Sequence, residues 1–80
     1  YPNPFNPTTN IRFSIPKGSN VSLRIYNALG KEVSAIIENE FLQAGNYEVD
    51  FNGSNLNTGV YFYRITSQDF SKTMKMMLLK

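Results

Sequence analysis

The 80-residue chain contains no cysteine, no histidine and no tryptophan, and its charges nearly cancel, with eight Lys and Arg against six Asp and Glu. Without cysteine there is no disulfide framework of the kind that staples many small secreted domains, and no thiol nucleophile. Without histidine the commonest metal ligand and the usual general base at neutral pH are missing, so the plentiful Ser and Thr have no imidazole to activate them. Most enzyme classes lose their chemistry at this step. A net charge of +2 does not supply the clustered basic face that nucleic acid requires. No apolar run approaches the ~18 residues of a membrane span, and no signal-peptide pattern opens the chain. At this length one domain fits, burying roughly 63% of the surface its unfolded chain exposes, and its stability is expected to be modest. Because the first residue is Tyr1 rather than Met, the chain reads as one module cut from a longer protein.

The charges are unevenly placed. Residues 1–31 hold Arg12, Lys17, Arg24 and Lys31 and no acid, whereas residues 32–50 hold Glu32, Glu38, Glu40, Glu48 and Asp50 and no base. Blocks of opposite sign at this spacing fit neighbouring strands pairing across a sheet.

Alternation of apolar and polar residues supplies the strands. Ile11-Arg12-Phe13-Ser14-Ile15 and Val21-Ser22-Leu23-Arg24-Ile25-Tyr26 each bury one face and wet the other, and Pro16 to Asn20 between them is turn chemistry. Asn27-Ala28-Leu29-Gly30 suits a type I turn closed by a glycine at positive φ. Lys31 to Ile37 follows as a third strand with blurred periodicity, a short helical turn over residues 34–42 being the alternative. Tyr47-Glu48-Val49-Asp50-Phe51 alternates strictly. Val60 to Thr66 is the most β-prone segment and, being apolar on both faces, is expected to be central. Ser71 to Leu79 makes the last strand, with Met74, Met76 and Leu78 on one side and Thr73, Lys75, Met77 and Leu79 on the other. Six to seven strands without a convincing helix predict an all-β fold, an immunoglobulin-like antiparallel β-sandwich over residues 11–79, with a small barrel as the alternative.

Two segments share the form L-x-x-G-x-Y: Leu42 to Tyr47 and Leu56 to Tyr61. Physically this describes a corner in which Leu plugs the edge of the core, Gly permits a tight turn, and the Tyr hydroxyl bonds back to the preceding loop. Sandwiches use such a tyrosine corner at the entrance to a central strand, and the second copy is the better candidate.

The constellations that resemble chemical sites have plainer readings. Asp50-Phe51-Asn52-Gly53-Ser54 places oxygens at alternate positions, but the bidentate acid of a calcium loop does not follow, and the segment reads as a turn. Glu38 and Glu40 would need a cleft that so small a sandwich scarcely offers, and read as solvated strand charges. Arg12, Arg24 and Arg64 interleave with Phe13, Tyr26, Tyr61 and Tyr63, yet aromatics at period two belong to a core more often than to a base-stacking surface. The sequons at Asn20 and Asn52 are matches that ten Asn residues produce by chance. Two features ask for more. Residues 1–7 carry three prolines, an extended, pre-ordered lead-in. The last strand is both apolar and basic, a hazard unless it is central or held by a partner.

With these residues in view, the chain resembles the type A C-terminal sorting domain of the type IX, or Por, secretion system of the Bacteroidetes and related phyla. The resemblance covers essentially the whole chain. It rests on the opening YPNPFNP with Pro2, Asn3, Pro4 and Phe5, on Asn27 to Val33 with Gly30 and Val33, and on Leu42, Gly45 and Tyr47. Leu56 to Arg64, with Gly59 and Tyr61, and the ending Lys75 to Lys80 complete it. It implies a non-catalytic address module of residues 1–80 without cofactor or metal, joined to an upstream cargo that reaches the periplasm of a Gram-negative bacterium and is then secreted or displayed on the cell surface. The implied partners are an outer-membrane translocon and a sortase-like protease, with no nucleic acid and no direct membrane insertion. By the same analogy the last strand is the part that is read, through Lys72, Lys75, Leu78, Leu79 and Lys80, by strand addition with charge selectivity. The immunoglobulin-like domain of flagellar hook-capping proteins shares similar segments and is the alternative; an ending at Lys80 favours the sorting signal, which must be C-terminal. A carbohydrate-binding accessory module of a secreted hydrolase would need Tyr26, Tyr61 and Tyr63 to face outward together.

Overall fold

A computed structural model describes residues 8–79; residues 1–7, including Pro2, Asn3, Pro4 and Phe5, and Lys80 lie outside the described residues. Six strands follow in order: β1 (Thr8–Ile15), β2 (Ser19–Asn27), β3 (Glu32–Leu42), β4 (Gly45–Asn52), β5 (Gly59–Ser67) and β6 (Ser71–Leu78). Strands β1 and β4 form one antiparallel sheet, and β3-β2-β5-β6 the other. In immunoglobulin lettering the first is the B-E pair and the second C′-C-F-G, so the fold is an immunoglobulin-like sandwich.

The alternation expected from the sequence is what packs the two layers. Ile11, Phe13 and Ile15 of β1 and Phe51 of β4 meet Val21, Leu23 and Ile25 of β2, Ile37 of β3, Tyr61 and Ile65 of β5, and Met76 and Leu78 of β6 in one buried cluster. Intervening residues face solvent, as a half-buried antiparallel sheet requires. The charge blocks meet where expected: Arg12 pairs with Glu48 across β1-β4 at 3.2 Å, and Arg24 with Glu32 at 3.3 Å across β2-β3. Solvent screens these pairs, so they favour the pairing more than they stabilise it. The Asn27 turn closes as anticipated: the Gly30 amide donates to the Asn27 carbonyl at 2.9 Å with Gly30 at φ 88°, and Asn27 Oδ1 accepts from the Leu29 and Lys31 amides.

Strand β3 is longer than expected and not helical. Between Val21↔Glu40 and Tyr26↔Glu32, five steps along β2 are matched by eight along β3, so β3 carries three extra residues in bulges. Each bulge flips the phase of the side chains. This is why the apolar period of residues 33–37 blurs. Asn39, at φ 48°, sits in this irregular stretch and donates its amide to Ser22 Oγ at 3.0 Å.

One close approach fixes the end of β6 to the other layer. A Cβ built on Gly53, just after β4, would stand 2.6 Å from a Leu78 methyl, and Leu78 is only 1% exposed and has nowhere to go. Gly53→Ala is therefore expected to cost about 1–3 kcal/mol by overpacking, read from denaturant melts. A melt indistinguishable from the parent would contradict the seating of Leu78 under Gly53.

Candidate functional site

Strand β6 ends the larger sheet, with β5 on one side and, among the described residues, no strand on the other. Its two faces differ. Met76 and Leu78 point into the core, while Met77 (59%) and Leu79 (62%) are exposed. Lys72 and Lys75 are also exposed, and neither has an acid partner among the described residues. Of the five residues singled out for recognition, Lys72, Lys75 and Leu79 are thus accessible, Leu78 is sealed in the core, and Lys80 lies outside the described residues. Among the described residues, the free edge of the strand pairs its backbone with no other strand, and a cation stands on each of its faces.

One corner motif opens β5, the neighbour of this edge, and the other opens β4 of the smaller sheet. Tyr61 Oη donates to the Asn57 carbonyl at 2.7 Å and Tyr47 Oη to the Gln43 carbonyl at 2.6 Å, each four residues upstream. Tyr61, 7% exposed at the start of β5, is the immunoglobulin tyrosine corner. Tyr47 is shallower and stacks on Phe13, ring centroids 5.5 Å apart. Leu42, Leu56 and Val33 pack against the core as half-buried residues. Gly45 adopts φ 154°, a conformation that disfavours a side chain, but Gly59 has neither a positive φ nor any atom close to where a Cβ would lie. The tight-turn role therefore holds at Gly45 and not at Gly59.

Between the layers, where they splay near the β5-β6 turn, lies a groove of about 560 Å3 with Tyr47, Tyr63, Phe70 and Met74 among its apolar walls and Lys72 at its rim. A cleft of this size was not expected of so small a sandwich. Glu38 and Glu40, the paired acids of the sequence, are not part of it: Glu38 lies 3.7 Å from Arg24, and Glu40 stands opposite Val21 on β3. Asp50 and Asn52 direct a side-chain oxygen each to Asn10 Nδ2 and the Ser54 amide; both residues belong to the end of β4, so the turn read over residues 50–54 begins only at Gly53, whose carbonyl accepts from the Leu56 amide. The three tyrosines of the carbohydrate reading do not share a face. Tyr61 is buried, Tyr63 lines the groove, and Tyr26 lies on the opposite side of the sheet under the Arg64 guanidinium.

Fold and edge together define an immunoglobulin-like sandwich that carries a basic, apolar strand at the rim of its larger sheet. The family model of the secretion system C-terminal sorting domain matches residues 1–79, and the chain belongs to that family. It is a sorting signal of the type IX secretion system, a domain that marks its protein for export across the outer membrane, to the cell surface or beyond. No curated protein and no solved structure matches the chain.

Removing the corner hydroxyl by Tyr61→Phe leaves the half-buried Asn57 carbonyl without its donor and is expected to cost about 1–3 kcal/mol. Tyr47→Phe, nearer the solvent, should cost less. Equal melting of Tyr61→Phe and parent would remove the corner's structural role.

Proposed function

We propose that the chain acts as a single non-catalytic module whose terminal strand is the element read by the secretion machinery. The observation that carries this reading is the open edge of β6: one side is committed to β5, and the other offers backbone groups flanked by Lys72, Lys75 and Leu79. A partner strand can add there by main-chain hydrogen bonds, and acidic side chains on that strand would select for the lysines. Leu78 contributes indirectly, by holding the strand on the core so that its edge keeps its shape. The partners are the outer-membrane translocon and a sortase-like protease that separates the module from an upstream cargo, with residues 1–7 as the junction.

The test places residues 1–80 behind a periplasm-directed reporter in a host that has this system. The reporter is expected at the surface or in the medium. Truncation before Ser71 should return it to the periplasm, and so should Lys72→Glu combined with Leu79→Asp, both exposed positions that leave the fold intact. Retention of the parent fusion in the periplasm, or undiminished export of the double variant, would contradict the reading.

A further inference from the structure

The outer face of the larger sheet carries an arrangement that folding stability does not call for. Arg24 and Arg64 stand directly opposite one another on β2 and β5. Their neighbours Leu23, Ile25 and Ile65 are buried inward, so both guanidinium groups emerge on the outer side. Like charges facing each other across antiparallel strands are destabilising. Arg24 is answered by Glu32 and Glu38, at 3.3 and 3.7 Å. Arg64 has no acid partner among the described residues: its Nε donates to Thr73 Oγ1 at 3.2 Å, and its guanidinium lies 5.3 Å from the centre of the Tyr26 ring. Neutral groups thus hold a cation in a fixed place with its charge unspent.

Beside it runs an apolar strip. Tyr26 is opposite Phe62, Phe62 opposite Lys75, and Val60 opposite Met77. Tyr26, Phe62 and Val60 are half-buried and Met77 is exposed. The β1-β4 sheet covers the other side of the layer, and among the described residues nothing covers this one. We propose that this face, Tyr26, Phe62 and Met77 bordered by Arg64 and Lys75, is a second docking surface, and that its occupant is a protein presenting an apolar strip edged with carboxylates. A second copy of the chain does not meet that description. Packed face to face it would bring Arg64 and Lys75 against cations, and Glu32 and Glu38 on this sheet are already engaged by Arg24.

The inference rests on the sorting reading only in using export as its readout; its surface spans β2, β5 and the outer face of β6, and its test positions, Phe62 and Arg64, lie on β5, which the Lys72→Glu and Leu79→Asp variant leaves untouched. Arg64→Glu is the informative substitution, because it gives Arg24 an opposite charge across the strands and so preserves the fold. In the reporter fusion the unfolding midpoint of Arg64→Glu is expected at or above that of the parent, while export falls at least tenfold. Phe62→Thr, which keeps a strand-forming residue, should lose export similarly, and Lys17→Glu, a charge reversal in the β1-β2 turn, should export as the parent does. Full export of folded Arg64→Glu and Phe62→Thr would overturn the docking surface, even where truncation of β6 abolishes export and the terminal-strand reading stands. Equal loss with Lys17→Glu would overturn it in favour of net charge. Sedimentation showing a dimer of the 1–80 domain that Arg64→Glu dissolves would overturn the proposed occupant.

Discussion

The contact on which the rest depends is the seating of Leu78 beneath Gly53. A last strand with one neighbour would fray, since termini are held only by what ties them down. Here the side chains of Met76 and Leu78 enter the common core, and the glycine after β4 lets the two layers close over Leu78. Losing such a buried leucine to alanine costs on the order of 2–5 kcal/mol, a large share of the ~5–15 kcal/mol that stabilises a domain. The strand proposed as the recognised element is therefore part of the fold itself. Its inner face is spent on stability, and among the described residues its edge and outer face stay accessible.

That division explains how a chain with so little chemistry can act. Lacking histidine and cysteine, the molecule has few groups able to transform a substrate, and its recognisable features are geometric: an open strand edge, a flat sheet face and cations without acids to neutralise them. Three of the six acids are paired internally. Glu32 and Glu38 answer Arg24, and Glu48 answers Arg12; of the five cations without an acid partner among the described residues, Lys17 and Lys31 sit in turns, and Arg64, Lys72 and Lys75 share β5 and β6. The charge of the molecule is modest in sum and directional in space, which suits steering toward an acidic surface more than tight binding. An absence of cysteine also fits transit through an oxidising compartment without stray disulfides.

Much of this was legible in the amino-acid order because period-two alternation translates directly into inward and outward faces. Residues 11–15, 21–26, 47–51 and 60–66 needed nothing else, and the two L-x-x-G-x-Y segments announced both tyrosine hydrogen bonds. The third strand was not legible, because three bulges shift its phase, and local periodicity cannot anticipate where a partner strand forces a residue out of register. Nor could the sequence separate Leu78 from Leu79 as a surface residue. Alternation says that they face opposite ways, but only the Gly53 contact, from a distant part of the chain, says which way is in. The like-charge pairing of Arg24 and Arg64 depended likewise on the β2-β5 register, and the motif residue Gly59 has a backbone and surroundings that do not require glycine. The groove beside Tyr63 arises where two short sheets diverge, a property of layer packing that no single segment encodes.

Amide hydrogen exchange along residues 71–78 bears most directly on the central claim, that the terminal strand is fixed on one side and open on the other. In an antiparallel edge strand alternate amides bond to the neighbour and the rest face solvent. The account predicts two interleaved classes in β6, slow amides directed at β5 and fast ones at the free edge, with the slow class exchanging no faster than the core of β5. Uniformly fast exchange would show a strand that is not held by the core, and uniformly slow exchange would show an edge already covered; either result contradicts it.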